Sequence, residues 1–187
     1  MKDFHIILAV DNENGIGVNG DLAWQLPEDM KYFKKTTSTT LNTEKQNAVI
    51  MGRKTWESIP DKYRPFSSRY NCVLSRGYEN GTQNSEGAYL FNSLDACLDH
   101  LDKNNDIETN FIIGGSQIFN QVVQDDRLKK AYITRIYHKY HCDAFFDGLP
   151  LDFDLESRSE MKEHEGIEFE FSVYTRRISL IKKIFQG

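Results

Sequence analysis

Asp29 is the first residue in the chain whose type and setting could do chemistry. With Glu28 it falls in the first turn of a helix that Pro27 opens, where proline's missing N–H is not needed. Negative charge there suits the helix dipole. Met30 and Phe33, three apart, share one face of that helix. Ahead of it lies Gly15–Trp24, G-I-G-V-N-G-D-L-A-W, a loop with glycines at 15, 17 and 20 and two large apolar groups, Leu22 and Trp24. Such a loop reaches backbone angles closed to other residues. A mobile loop with an apolar wedge, leading to one carboxylate beside apolar side chains, makes a pocket for a flat, polar-edged aromatic ligand. Each part also has a plainer reading. An acid in a first turn often only caps the helix, and Leu22 and Trp24 could be loop anchors.

Three later turns suit phosphate. Gly52-Arg53-Lys54-Thr55 follows a strand and starts a helix, joining backbone N–H groups to two cations and a hydroxyl. Leu74-Ser75-Arg76 also ends a strand, and an arginine fork there could meet a ribose phosphate. Ile112-Ile113-Gly114-Gly115-Ser116-Gln117 runs strand, paired glycines, helix, allowing close backbone approach to a pyrophosphate. It is neither G-x-G-x-x-G nor a P-loop. Singly, these are ordinary basic surface and an ordinary tight turn. Together on one sheet they suggest a phosphorylated dinucleotide, and the cations favour a 2′-phosphate, hence NADPH over NADH. Arg69, opening a strand after Pro65-Phe66-Ser67-Ser68, could clamp a substrate carboxylate, although from sequence alone a strand-end surface arginine is the stronger reading.

The elements that must position these residues follow from apolar runs. Strands are expected at residues 4–10, 48–51, 70–74, 88–91, 110–113 and 130–137, with a strictly alternating, half-exposed antiparallel strand at 168–174. Helices are expected from Pro27, from Arg53 to near Pro60, from a Ser93 cap to about Leu101, and over 116–123. Thr36–Thr43 reads as a polar surface loop. Strand and helix alternate for two thirds of the chain, then strands dominate. The expected fold is a three-layer α/β sandwich: a mostly parallel central sheet of about eight strands, an antiparallel C-terminal strand, and helices on both faces. Ligands in such sheets bind outside the carboxyl ends of the strands.

At 187 residues, 39% hydrophobic and 27% charged, the chain is expected to form one domain with a substantial core. A net charge of −5 argues against nucleic acid as a partner. Cys72, Cys97 and Cys142 show no metal spacing and read as reduced thiols of a cytoplasmic protein, with no metal site expected. No signal peptide or membrane contact is expected, since the first apolar run is only seven residues, Phe4 to Val10.

Taken together, these stretches resemble dihydrofolate reductase. The resemblance rests on Gly15–Trp24, on V-I-M-G-R-K-T-W-E-S-I-P at Val49–Pro60, on N-C-V-L-S-R at Asn71–Arg76, and on F-I-I-G-G-S-Q-I-F at Phe111–Phe119. Y-I-T-R-I at Tyr132–Ile136 and the closing I-E-F-E-F-S-V-Y add to it. Several blocks in one order are specific where no single block is. The resemblance implies a catalytic domain over residues 1–175, of the longer eukaryotic type, followed by a basic and apolar extension at 176–187. That extension has helical spacing and reads as an amphipathic segment docked on its own domain, with a link to a thymidylate synthase domain or a partner or membrane contact as the other readings.

The resemblance further implies reduction of 7,8-dihydrofolate to tetrahydrofolate by hydride transfer from NADPH, in one-carbon metabolism and thymidylate synthesis. Asp29 becomes the single pocket carboxylate, helped by Thr134, Leu22 and Trp24. Ile6, Ile7, Met30, Phe33, Ile59, Pro60, Phe66, Ile113 and Phe119 line the substrate, with backbone carbonyls of Ile6 and Ile113 facing the pterin and Arg69 on the glutamate tail. Ala9, Ile16, Gly20, Asp21, Gly52, Arg53, Lys54, Thr55, Leu74, Ser75 and Arg76 meet the cofactor. Gly114, Gly115, Ser116, Gln117 and Ile118 cradle its pyrophosphate, and the family's cis peptide implies one between Gly114 and Gly115. Antifolates such as methotrexate would bind, and the chain is expected to be a monomer, linked to or acting with thymidylate synthase. Ala23 and Phe119 depart from the family's usual Pro and Tyr. Two other readings stay open: a pyrimidine reductase of riboflavin synthesis, and a binding module without turnover.

Overall fold

The computed structural model describes residues 3–177. The expected helical extension falls mostly at residues 178–187, outside the described residues. The chain runs β1 (Phe4–Val10), β2 (Gly15–Gly17), α1 (Pro27–Ser38), β3 (Gln46–Gly52), α2 (Arg53–Ser58), β4 (Arg69–Leu74), β5 (Thr82–Gln83) and β6 (Tyr89–Phe91). It continues through α3 (Leu94–Asp102), β7 (Ile107–Gly114), α4 (Ser116–Val122), β8 (Leu128–Ile136), β9 (Ala144–Phe145), β10 (Phe153–Arg158), β11 (Lys162–His164) and β12 (Ile167–Arg176).

Ten strands form one sheet in the order β10-β12-β8-β1-β7-β3-β4-β6-β5, with β11 paired to β12. Its centre, β8 through β6, is parallel throughout. Antiparallel strands lie outside it on both sides. β5 and β11 are only two and three residues long, too short to register as hydrophobic runs. The alternation of β1 divides the core. Phe4, Ile6, Leu8 and Val10 face a cluster with Leu94 and Leu98 of α3 and Phe119 of α4. Ile7 faces the opposite cluster, with Trp56 of α2 and Tyr32 and Phe33 of α1. Helices therefore cover both faces, and each expected long strand and helix is present within a few residues.

Two local expectations are corrected. Thr36, Thr37 and Ser38 are helical rather than loop. The Thr37 and Ser38 hydroxyls donate to the carbonyls four residues back, Phe33 O at 2.8 Å and Lys34 O at 2.6 Å. That back-bonding satisfies residues which otherwise compete with helix. The face of β12 opposite Phe169 is not all solvent-facing: Glu168 is exposed, but Glu170 and Ser172 are buried. β10 flanks it, and Arg158 Nε meets Glu170 Oε1 at 3.1 Å. The last strand also takes in Arg176, whose Nε pairs with Asp152 Oδ2 at 2.8 Å.

Asn47 fixes the end of α1. Buried in β3, it donates to Thr37 O at 3.1 Å and Thr39 O at 2.8 Å, and accepts from Thr109 N at 3.1 Å. Two carbonyls at the helix C-terminus, where intrahelical partners run out, are thereby satisfied. Asn47→Ala should lower the stability of the protein by about 2–4 kcal/mol, because it strands several buried polar groups. Urea unfolding at neutral pH measures this.

Candidate active site

The site opens where the sheet parts. The chain leaves β1, passes through β3, β4 and β6, and returns as β7 and β8, which flank β1. The β1–β7 ladder stops at Ile6↔Ile112. Yet β1 pairs with β8 as far as Val10↔Arg135, and β7 pairs with β3 as far as Met51↔Gly114. Past Ile6 and Ile112 the inner edges separate while the outer edges stay paired. A parallel sheet takes its ligands at such a switch point.

Asp29 stands on one side of this opening. Trp24 and Leu26 are buried with Ala9, Ile136 and Phe169, which fixes where α1 begins. The third residue of α1 is then Asp29, only 6% exposed. Thr134 of β8, the register partner of Ala9, donates its hydroxyl to Asp29 Oδ1 at 2.6 Å. Burial pushes the Asp29 carboxyl up from 3.8 to about 6, and the Thr134 hydrogen bond pulls the other way. No cation is within salt-bridge reach of Asp29 among the described residues. Tyr32, one turn along α1, stacks on Phe171 of β12 with centroids 4.0 Å apart. Trp24 Nε1 is buried with no hydrogen-bond partner among the described residues.

Arg69 stands further along the same face. The surface-arginine reading fails: Arg69 is 8% exposed. Its Nη1 donates to Thr37 Oγ1 at 2.9 Å and its Nε to Ser67 O at 3.1 Å. The guanidinium lies 4.6 Å from the Phe66 centroid and 5.8 Å from that of Phe33. Those two rings meet edge to face at 5.5 Å. Burial lowers the Arg69 pKa, and among the described residues no carboxylate pairs with it. Ile7, Ile59, Ile113 and Tyr132 share one apolar cluster with Phe33 and Phe66, the two rings beside Arg69. Met30 and Leu22 remain about half exposed, at 46% and 47%.

On the other side of the opening the phosphate-type turns converge. Gly52 ends β3 opposite Leu74 of β4, and a Cβ on Gly52 would lie 3.2 Å from Ile118 Cδ1. The Gly114–Gly115 peptide is cis, as the resemblance implies, and Gly114 has φ +137, a conformation that favours glycine. A Cβ on Gly115 would meet Thr55 Oγ1 at 3.1 Å. The turn is thus bare backbone held against Thr55, with Ser116 and Gln117 opening α4 beside it. Lys54 and Arg76 are exposed, and Ser75 is half-buried. Arg53 Nη1 pairs with Glu57 at 2.8 Å on the surface of α2.

Other expected site residues differ in how far they are buried. The Ile6 side chain is wholly buried in the far-side core, so only its backbone can face the opening, whereas Ile7 presents its side chain. Phe119 is 3% exposed and packs against Phe146 at 6.3 Å, beneath Gly114. Pro60 is exposed at the start of a short helical turn. Ile16, Gly20 and Asp21 lie in the loop, where Val18 and Asp21 bridge each other and Gly20 has φ +84. Sequence reasoning missed Thr37, which orients Arg69, and Tyr32. Their i+8 and i+3 spacing from Asp29 on a continuing helix was the available signal.

A switch-point cleft with one buried carboxylate and a bare glycine turn across from it defines an α/β enzyme for a flat ligand. The family model of dihydrofolate reductase matches residues 3–176. The chain is similar to dihydrofolate reductase of Drosophila melanogaster, at 36% identity over 92% of this chain and 97% of the fly protein. It is 35% identical to dihydrofolate reductase of Gallus gallus, over 95% of this chain and 98% of the bird protein. A bifunctional dihydrofolate reductase-thymidylate synthase of Arabidopsis thaliana is 42% identical over 94% of this chain and 32% of the plant protein. The chain belongs to the dihydrofolate reductase family. It is an oxidoreductase that reduces dihydrofolate to tetrahydrofolate, and the family implies a nicotinamide cofactor.

Asp29 also makes stability depend on pH. Between its ordinary value of 3.8 and about 6, the folded chain holds a proton that the unfolded chain has released. Stability therefore falls as pH rises through that window, and the full penalty stands above it. A rise from 3.8 to about 6 corresponds to roughly 3 kcal/mol. Asp29→Asn removes the charge and keeps an oxygen for Thr134. Its stability relative to wild type should gain about 2–3 kcal/mol between pH 4 and pH 8, read by urea unfolding of the ligand-free protein.

Proposed function

We propose that the chain reduces 7,8-dihydrofolate with NADPH as the donor, Asp29 holding the pterin and Arg69 clamping the glutamate tail. One observation carries this reading. Among the described residues, a buried carboxylate without a cation and a buried guanidinium without an anion both stand at α1, beside a cluster of apolar and aromatic side chains on the same face of the sheet. Buried charges are expensive unless paired. A ligand with a donor-rich flat head, an aromatic middle and a carboxylate tail would pair both, and dihydrofolate has that form.

In this mechanism Asp29, ionised, accepts hydrogen bonds from the pterin amino group and the adjacent ring N–H. That interaction favours a proton on N5, and a protonated C6=N5 bond is the better hydride acceptor. The nicotinamide held beside the pterin would supply the hydride to C6, and the proton at N5 would complete the reduction. Asp29 need not deliver that proton, since water admitted beside Leu22 can do so, with Trp24 Nε1 free to orient it. Thr134 holds the carboxylate in register. Ile7, Met30, Phe33, Ile59 and Phe66 exclude water from the rings, and position and electrostatics are the protein's contribution.

The cofactor side fits NADPH. The bare turn at Gly114–Gly115 permits close approach by the pyrophosphate, with Ser116, Gln117 and Ile118 following. Arg53, Lys54, Thr55, Ser75 and Arg76 would receive the 2′-phosphate and ribose, favouring NADPH over NADH. We further infer a cytoplasmic monomer with residues 1–175 as the catalytic unit, acting with thymidylate synthase and inhibited by antifolates such as methotrexate. Its described residues contain no helix long and apolar enough to cross a membrane.

Asp29→Asn should lower hydride transfer by about 10²–10⁴-fold while NADPH affinity stays within about threefold, measured by single-turnover loss of NADPH absorbance. Full activity of that variant at neutral pH would refute the mechanism. Arg69→Leu should raise KM for dihydrofolate by about 10–100-fold yet leave the affinity for a pterin lacking the glutamate tail unchanged.

A further inference from the structure

Asp11, at the end of β1, is a second buried carboxylate that the mechanism does not use. It is 3% exposed. Among the described residues no cation pairs with it; the ion pair that crosses this region joins Lys139 to Glu13, at 2.8 Å. Its partners are three backbone N–H groups and the Cys142 thiol, whose Sγ lies 4.0 Å from Oδ2. Oδ1 accepts from Glu13 N at 2.8 Å and Gly15 N at 2.7 Å, and Oδ2 accepts from Tyr140 N at 2.9 Å. The carboxylate thus ties the start of the Gly15–Trp24 loop to a segment 129 residues away.

The two segments meet along a seam. Asn12 N donates to His138 O at 3.0 Å, Asp143 N to Gly17 O at 3.0 Å, and Phe146 N to Asn14 O at 2.9 Å. β2 and β9 pair between them. The fit is tight at Gly15, where a Cβ would lie 2.5 Å from Cys142 Sγ. Tyr140, whose N–H Asp11 holds, sets its ring 5.5 Å from the Trp24 ring. Trp24 in turn packs with Ala9, the register partner of Thr134. A continuous chain of contacts therefore runs from Asp11 through Tyr140 and Trp24 to the element that holds Asp29.

We infer that Asp11 is a positioning residue for the reduction: its carboxylate sets the loop carrying Leu22 and Trp24 against residues 138–146, and so places both side chains at the cleft. An apolar residue could fill the same space without burying a charge. What it could not do is accept three N–H groups from two segments at once. The inference rests on the reductase reading and adds a residue to it.

Asp11→Asn is the test. The amide keeps Oδ1 for Glu13 and Gly15 but turns the Oδ2 side into a donor facing the Tyr140 N–H. Single-turnover hydride transfer should fall about 10–100-fold, with a larger primary isotope effect on kcat from deuterated NADPH. KM for dihydrofolate and Kd for NADPH should stay within about threefold. A role confined to folding would lower Tm and leave the single-turnover rate within twofold of wild type, which would overturn the inference. Equal losses in rate and in both affinities would overturn it too. Gly15→Ala keeps the Asp11 side chain but sets a Cβ 2.5 Å from Cys142 Sγ and 3.0 Å from Asp11 Oδ1, wedging the same seam. It should show the same split between rate and KM, and it carries the test if Asp11→Asn does not fold. Wild-type turnover is measured first. Its absence would overturn the reductase reading itself, and this role with it, whereas normal wild-type turnover with a normal Asp11→Asn rate overturns only the role of Asp11.

Discussion

A carboxylate held without a counter-ion at Asp29 is the constraint on which the rest of the site depends. Desolvation raises its pKa to about 6, and a single hydroxyl from Thr134 at 2.6 Å opposes that rise. Position must therefore be set by packing. Trp24 and Leu26 anchor the approach to α1, Pro27 starts it, and Asn47 and Thr37 secure its far end. β8 delivers Thr134 between β1 and β12, so the donor stands on three paired strands rather than on a loop. Groups built on regular elements are held more closely than groups on loops.

The sheet supplies the second requirement, an opening. Were β1 and β7 paired over their full length, the backbone beyond Ile6 and Ile112 would be consumed by the ladder. Because each keeps its outer partner, separation exposes inner edges without unravelling either strand. The far-side core keeps this gap from collapsing. Phe119 and Phe146 pack beneath Gly114, and Phe4, Ile6 and Leu8 are buried against α3 and α4. Phe119, where the family usually has Tyr, is nearly fully enclosed there, so its phenyl edge contributes packing with no hydroxyl to satisfy.

Much of this was legible in the sequence. Continuous apolar runs such as Phe4–Val10 and Ala48–Met51 gave buried parallel strands, because a strand covered on both faces has no polar alternation to show. Pro27 and Ser93 marked helix starts through local chemistry that acts within one turn. Other features depend on partners distant in sequence. Thr36–Ser38 read as loop because threonine and serine favour turns, and only Arg69 and Asn47 give Thr37 and its carbonyl a reason to be buried. Glu170 read as solvent-facing because its ion pair comes from Arg158, on a strand with no clear hydrophobic pattern. The face assigned to Ile6 could not be separated from that of Ile7 in a run that is apolar at both, since a shift of one residue reverses every side chain. Asp11 was invisible because its partners are three backbone N–H groups and one thiol 131 residues away, which no local pattern announces.

Two buried charges of opposite sign, each left without a counter-ion among the described residues, also account for discrimination. An apolar pocket separates ligands weakly, since a missing methylene changes binding by only about 1–3 kcal/mol. A pocket containing polar groups that the ligand must satisfy rejects an incomplete ligand far more strongly, because the unpaired group stays desolvated. Asp29 rejects a ring without donors at its edge, and Arg69 rejects a molecule without a terminal anion. Phe33, Phe66, Ile59 and Ile113 set the spacing at which both must be met. Neither charge can be relieved by rearrangement, since Asp29 is fixed through Thr134 and Arg69 through Thr37 and Ser67. The instability that these charges impose on the ligand-free chain and the selectivity they confer on the bound one are thus consequences of the same burial.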